Sequence, residues 1–502
     1  MFTFKKINIE LISWLFILIP ISFIFGSFFI NSITTTIVIL YLIFFFKDHL
    51  LRINNSCLFF IKFFFSFNLY LFISAILGET PLDSIFSSLS YLRYVFLILA
   101  ISFILEKNFN YFKYFFYISF ITLIVLFYDL LIQLIYNQNL VGFINISSDR
   151  YTGFFGKEQI LGSFVVRFLP LILFLVNLIY FKKNNYFLQI LIIFLAFFLT
   201  LVSGERTAFL MFFIYIFFFI VINKNLKLMA ILIFLFISLS SLIILLKQPL
   251  KSRFVDATLN QLTTKQDTDS NFSFLSIRHE NHIKTAINIF KKNIIFGSGP
   301  NSFRHICFKK EYSVADQILD NSKVRSKFNG YLRLDIKTDN SEFFEKNPLN
   351  PTVATITGSI ADANNNILEQ FIIPENSKIT VQNNSFVFQE QVIYIKHIPY
   401  ENGCNTHPHN YIFQILAELG LFGMGFFLFF LYNLYLAIFK NIYYIYSKKK
   451  KYSKNILILL LGLLINFFPF MPTGGFFNSW LTTICLLPVA FLFYLKNNNI
   501  NK

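Results

Sequence analysis

The sequence predicts an all-α polytopic membrane protein with about 12 transmembrane helices and one large loop containing a helical part and a β-rich insert. Three observations carry this. Apolar residues make up 56% of the 502 residues and charged ones only 14%, against a globular norm of about 45–50% and 25%. Mean hydropathy is +0.61 and there are 72 phenylalanines. A soluble fold of this length still exposes about a quarter of its unfolded surface, so it has nowhere to hide this much apolar side chain.

A span needs about 20 predominantly apolar residues. Such segments fall at 11–30, 32–46, 57–77, 85–105, 112–136, 160–181, 186–202, 207–222, 228–246, 409–439, 455–470 and 476–495. The first follows Lys5 and Lys6 and lacks a small-residue cleavage site, which predicts a retained helix rather than a signal peptide. The chain then divides into a membrane region (1–246), a long loop (247–408, with the insert at about 308–403), and a second membrane region ending in a tail (409–502).

The net charge of +17 marks topology rather than a polyanion partner. Lys5/Lys6, Lys47/Arg52, Lys107/Lys113, Lys182/Lys183, Lys224/Lys227, Lys448–Lys451 and Lys496/Lys502 fall in alternate gaps, while the other short gaps hold only Arg150, Lys157 and Arg206. By the positive-inside rule both termini are cytoplasmic and the long loop faces outward. That loop is nearly neutral, with 19 Lys/Arg against 16 Asp/Glu. No basic face of a nucleic-acid binder is present.

Within the loop, Arg278–Lys292 has helical spacing, with Ile283, Ala286, Ile287 and Phe290 on one side. Thr352–Ile360, Lys378–Phe388 and Gln391–Ile398 alternate like strands between Asn, Pro and Gly breaks. Cys307 and Cys404 bracket this middle part. Two thiols facing an oxidising compartment are expected to pair, closing a loop whose entropy is worth at most about 4–5 kcal/mol. Cys57 and Cys485 fall inside spans and are expected to pack.

Four segments carry chemistry. In Thr406-His407-Pro408-His409-Asn410-Tyr411 the loop enters the tenth span, with Thr406 or His407 placed to cap the helix and Pro408 in its first turn. The helix dipole there disfavours added positive charge, so His409 is expected to be a neutral imidazole usable as a general base. Asn410, Gln414 and Glu418 follow as a polar stripe, and an acid such as Glu418 in a span faces protein or water. The bland alternative is interfacial histidines plus one buried acid. A metal on His407 and His409 lacks a third ligand nearby.

Ser203-Gly204-Glu205-Arg206-Thr207-Ala208 places an arginine at an outer junction. Guanidinium binds phosphate bidentately and keeps its proton; a local Glu205–Arg206 pair capping a helix is the structural alternative. Asp149-Arg150-Tyr151 through Glu158 gathers charge at the same face, and Arg167, within the sixth span, needs a buried partner, for which Glu158 is a candidate. Finally, Arg278 opens the loop helix and Gly297-Ser298-Gly299-Pro300 ends it. That turn follows a helix, not a strand, so a dinucleotide fingerprint is excluded.

Together these pieces resemble the O-antigen ligase and O-antigen polymerase family, bacterial membrane glycosyltransferases that use undecaprenyl-diphosphate-linked glycans. HPHNYIFQILAELGLFG matches that family's hallmark, SGERTAF resembles its buried-arginine motif, and RYTGFFGKEQILGSFVVRFLP and the stretch from Arg278 through GSGPNSF look like weaker blocks. The resemblance spans roughly 145–440. It implies that His409 is catalytic and that Arg206 and Arg278, aided by Arg150, bind the diphosphate. His407, Asn410, Glu418, Glu158 and Arg167 are the expected supporting residues. It further implies an inverting, metal-independent enzyme without cofactors in the bacterial inner membrane, with the large loop periplasmic. The donor would be an undecaprenyl-diphosphate-linked glycan, and the acceptor a lipid A core or another glycan or protein, as in lipopolysaccharide biosynthesis. The strand-rich insert departs from the family's shorter, more helical loop. A polymerase of the same family is the alternative function; a lipid-oligosaccharide flippase or transporter is the alternative of another class, and internally related halves would be its mark.

Overall fold

The computed structural model describes residues 2–144, 150–180, 186–223, parts of 232–241, 247–256, 277–307, parts of 309–314, the strands within 324–394, 403–447, 453–468 and 472–498. Its membrane part is a bundle of apolar helices. In chain order these are α1 (Phe2–Ser22), α2 (Ser27–Phe44), a short α3 (Phe46–Leu50), α4 (Asn55–Leu77), α5 (Pro81–Lys107), α6 (Asn110–Tyr136), α7 (Leu161–Ile179), α8 (Tyr186–Val202) and α9 (Arg206–Asn223). The loop contributes α10 (Ile277–Lys292) and the four-residue α11 (Phe303–Ile306), and α12 (Tyr411–Tyr446), α13 (Ser453–Asn466) and α14 (Ser479–Asn497) complete the bundle.

Seven of these helices are long and apolar enough to cross a membrane: α2, α4, α5, α6, α7, α12 and α14. Four shorter apolar helices, in α1, α8, α9 and α13, accompany them among the described residues. The span expected at 228–246 lies mostly outside the described residues. Helices are the natural form here because every backbone N–H is satisfied within the segment, which a hydrocarbon environment demands.

Burial sorts the bundle into centre and rim. Buried residues make up 72% of the most apolar stretch of α5 and 78% of those of α7 and α14, but 28% of that of α2. Helices α5 and α14 pack together, as do α7 and α13, and α12 and α13. The helices that follow the loop are thus built into the centre formed by those that precede it. Aromatic rings fill the joints: Phe23, Phe164 and Trp480 meet between α1, α7 and α14, and Phe16, Phe115 and Phe491 between α1, α6 and α14.

Helix α12 breaks once. Gly420 has φ 62° and ψ −161°, a region open essentially to glycine alone. A break inside a span frees backbone groups that must find partners, and the turn after α10 supplies them. Ser298 N–H donates to the Ala417 carbonyl (3.0 Å) and Gly299 N–H to the Glu418 carbonyl (2.9 Å), while Leu421 N–H reaches the Ile294 carbonyl (2.8 Å). The Tyr70 hydroxyl donates to the Leu419 carbonyl. The Gly-Ser-Gly-Pro turn is therefore a plug in a broken helix.

Farther along the loop, strands at Val324–Arg325, Tyr331–Asp335, Thr357–Ala361 and Ile367–Ile372 form one antiparallel sheet, and Val381–Gln382, Ser385–Phe388 and Gln391–Tyr394 form another. The third, fifth, sixth and seventh of these overlap the alternating segments of the sequence; the first, second and fourth fall outside them. Cys307 and Cys404 are joined by a disulfide with Cα atoms 5.1 Å apart. Cys57 and Cys485 are free and buried.

Candidate functional site

Four histidines from two distant segments meet at the junction of the loop with α12. His279 and His282 lie one turn apart on α10, and His407 and His409 on the strap leading into α12. The His409 ring centroid is 4.2 Å from that of His407, 5.2 Å from His282 and 5.3 Å from His279. Among the described residues no group of three or more His, Cys, Asp or Glu side chains is arranged to hold a metal ion.

The strap is held from both sides. His409 has φ 56°, unusual for a residue other than glycine, and its carbonyl accepts from Thr473 N–H (2.8 Å). The Asn405 amide faces His409 Nε2 at 2.7 Å, while Asn405 Oδ1 accepts from Thr406 N–H at 2.7 Å. His407 Nε2 donates to the Thr473 carbonyl (3.3 Å), and its Nδ1 accepts from the Thr406 hydroxyl (2.9 Å). Both imidazoles lie outside the spans. Burial, with the neighbouring His279, brings His409 down to about 4, and burial with the His409 charge holds His407 well below its ordinary value. Desolvation and crowding among like-charged imidazoles both penalise the protonated form.

Asn410, not Thr406 or His407, caps α12: its Oδ1 accepts from Ile412 N–H at 2.9 Å. Proline 408 thus precedes the helix rather than sitting in its first turn. The polar stripe below fixes flanking loops. Gln414 Oε1 accepts from Phe476 N–H (2.7 Å) and its amide donates to Glu418 (3.0 Å). Glu418, fully buried, also accepts from Phe303 N–H (3.0 Å) and Asn301 N–H (3.2 Å). Its carboxylate anchors the turn and α11, so it supports His409 through the loop rather than by direct contact.

The second motif group surrounds the outer end of α7. The Glu205 carboxylate accepts from Gly162 N–H (2.6 Å) and Ser163 N–H (3.1 Å), capping α7. Gly162 is required there, since a Cβ would meet Ser203 Oγ at 2.5 Å. Arg150 lies close enough for its charge to act on Glu205 and donates to Gln159. Arg206 is the first residue of α9, and Arg253 Nε reaches the Gly204 carbonyl at 3.4 Å. Arg278 stands in the first turn of α10, three residues before Asn281 and one before His279; its side chain is outside the described residues.

Arg167 joins the two groups. It is 3% exposed, donates to the Ser163 carbonyl (3.1 Å), and bonds Cys485, which also bonds Tyr411. Ser163 is the residue that Glu205 caps, and Tyr411 follows His409 by two. Glu158, the partner suggested by sequence, is exposed and makes no ion pair with Arg167 among the described residues; Arg167 lies six residues, about 9 Å, along α7 from its start at Leu161.

The sequence reading missed His279, His282 and Asn405 as neighbours of His409, and Arg304 as a charge acting on His407. The two α10 histidines had a signal, since a spacing of three places them on one helix face. The other two had none, because the disulfide and the Glu418 anchor that bring them in are long-range.

No curated protein and no solved structure matches the chain at a significant level. Residues 191–334, which run from α8 through α9, α10 and α11 into the first strands, match the family model described as O-antigen ligase.

Proposed function

We propose that this protein is an O-antigen ligase-like glycosyltransferase of the bacterial inner membrane, with twelve spans, both termini cytoplasmic and the large loop, including a β-rich insert, in the periplasm. It moves a glycan from an undecaprenyl-diphosphate carrier to a hydroxyl of a lipid A core or similar acceptor. The observation that carries this reading is the histidine cluster around His409, linked by Tyr411, Cys485, Arg167 and Ser163 to the end of α7 where Glu205, Arg206 and Arg150 gather.

In this reading the acceptor hydroxyl binds at His409, which takes or orients its proton as the oxygen attacks the anomeric carbon. The carbon–oxygen bond to the diphosphate breaks on the opposite face, with inversion, and the negative charge left on the diphosphate is met by Arg206, Arg278 and Arg150. Preorganised charge of this kind is commonly the largest contribution to a site's catalysis. No metal is assigned a role. A transporter is disfavoured because α13 and α14 pack into α7 and α5 instead of forming a second, related half.

Deletion of the gene followed by glycolipid electrophoresis tests the proposal. Loss of all polymer from the core, with carrier-linked polymer accumulating, is the expected result; one repeat per core would indicate a polymerase, and an unchanged pattern would exclude both activities toward the core glycolipid. Full-length His409→Ala should reproduce the deletion while inserting and folding normally; wild-type transfer by that variant would remove His409 from the mechanism.

A further inference from the structure

Arg304 belongs to none of the motif groups and is placed with unusual care. It sits in α11, a helix of four residues clamped at both ends. At one end Phe303 N–H is held by Glu418 Oε1 at 3.0 Å, and the Phe303 side chain is fully buried. At the other end Cys307 is bonded to Cys404, the residue before Asn405, whose amide touches His409. A disulfide and a buried carboxylate thus fix the α11 backbone to the same strap that presents the histidines.

The charge on Arg304 acts on both His407 and Glu418. Neither is its ion-pair partner. His407 is held neutral by its surroundings, and the Glu418 oxygens already accept from Phe303, Asn301 and Gln414. Among the described residues Arg304 forms no ion pair with a carboxylate, and its Nε is buried without a hydrogen-bond acceptor. The next residue turns away: His305 faces Asp83 at 3.9 Å. A guanidinium cannot shed its proton; this one is half-buried, with its Nε cut off from solvent and from any acceptor, and an unsatisfied buried donor is costly. Fixing one beside a histidine cluster in which His407 and His409 are held neutral makes sense where an anion arrives as part of the working cycle.

The geometry points to Arg304 as a further anion-binding side chain of the site, holding a phosphate group of a ligand beside the histidine cluster on the loop side. This rests on the glycosyltransferase reading, in which two ligands carry phosphate: the carrier diphosphate and a phosphorylated acceptor core. Their shared chemistry is a tetrahedral oxyanion suited to the planar guanidinium fork.

The test uses full-length protein in lipid nanodiscs. Binding is measured for undecaprenyl diphosphate and for phosphorylated lipid A core, each against its dephosphorylated counterpart, in wild type, Arg304→Gln and Arg304→Lys. Arg304→Gln should weaken one phosphate ligand by about ten-fold or more and leave the counterparts unchanged; Arg304→Lys, which keeps the charge but not the fork, should fall between. The ligand that weakens identifies the source of the phosphate. If Arg304→Gln does not fold, Arg304→Lys carries the test, and wild-type affinity for both phosphate ligands in it would overturn the proposal. The same follows from a folded Arg304→Gln protein, with its disulfide intact, that binds both like wild type, or that loses phosphorylated and dephosphorylated ligands alike. Failure of the wild type to bind either phosphate ligand would instead remove the functional reading, and this inference with it.

Discussion

The Asn405 amide nitrogen lies 2.7 Å from His409 Nε2, and its orientation is fixed because Asn405 Oδ1 already accepts from Thr406 N–H. The amide must therefore donate, and Nε2 must accept. His409 is then neutral with its proton on Nδ1, since a protonated ring would set two donors against each other. For Nε2 to receive a proton from a hydroxyl, the hydroxyl has to take the place of the Asn405 amide. In the proposed mechanism Asn405 thus holds His409 in its working tautomer until substrate arrives.

Replacing Asn405 with Asp tests this relation. A carboxylate beside Nε2 favours the imidazolium, so the acid limb of the pH–rate profile should move up and transfer at neutral pH should fall, by about ten-fold for each unit that the limb passes the assay pH. Asn405→Ala removes the hold without adding charge and should leave the limb near its original position. Profiles measured on both variants decide; an unmoved limb in Asn405→Asp would mean that the amide does not govern the protonation of His409.

The histidine cluster also sets a pH dependence of stability. Burial and His279 lower His409 to about 4 in the folded protein, against about 6.5 for an unperturbed histidine. Between those values the unfolded chain binds the extra proton and the folded chain does not, so stability rises with pH across the window. The contribution is whole above about 6.5 and lost progressively as pH falls toward 4, and His407, lowered in the same direction, adds to it. Thermal unfolding midpoints in detergent should drop from pH 7 to pH 4.5. In His409→Ala the drop should shrink.

How far the sequence revealed the site depended on the range of each interaction. The apolar spans and the His407–His409 strap were legible because hydrophobic runs and helix entry are local signals. The break at Gly420 was not, since a lone glycine in an apolar helix is unremarkable until the turn at Gly297–Pro300 is seen to fill the gap. Glu418 was recognised as a buried acid whose partner had to be protein or water, but its partners, Asn301 and Phe303, stand more than a hundred residues earlier. Arg167 was likewise singled out as needing company. Sequence proximity suggested Glu158, while helix geometry turned it toward Ser163 and Tyr411 instead.

The disulfide should matter to the site as well as to stability. Cys307 adjoins α11, and Cys404 adjoins Asn405. Closing a loop of this length is worth up to about 4–5 kcal/mol on entropic grounds. Cys307→Ser should lower the unfolding midpoint and, under conditions where the protein remains folded, reduce transfer at least ten-fold by loosening the strap. Full transfer by a folded Cys307→Ser protein would show that Glu418 alone suffices to seat α11.

The helix break makes the sharpest contrast between neighbouring glycines. At Gly420 a Cβ would lie 2.4 Å from the Ile295 carbonyl oxygen, and at Gly297 one would lie 2.3 Å from the Glu418 carbonyl carbon; both residues have positive φ. These contacts are backbone to backbone, so no side chain can turn aside to relieve them. Alanine at Gly420 should cost about 1–3 kcal/mol for the conformation alone, and more for the overlap, because the plug must withdraw and strand the Ala417 and Glu418 carbonyls in an apolar surrounding. Gly425 lies one turn farther along the same helix, is exposed, and has nothing within 4 Å of an added Cβ. Alanine there should be neutral or stabilising by about 0.5–1 kcal/mol, the usual helical gain over glycine. Unfolding midpoints of Gly420→Ala, Gly297→Ala and Gly425→Ala in one detergent give the comparison. Similar midpoints for all three would mean that the turn does not fill the break, and the anchoring of α11 beside His409 would lose its basis.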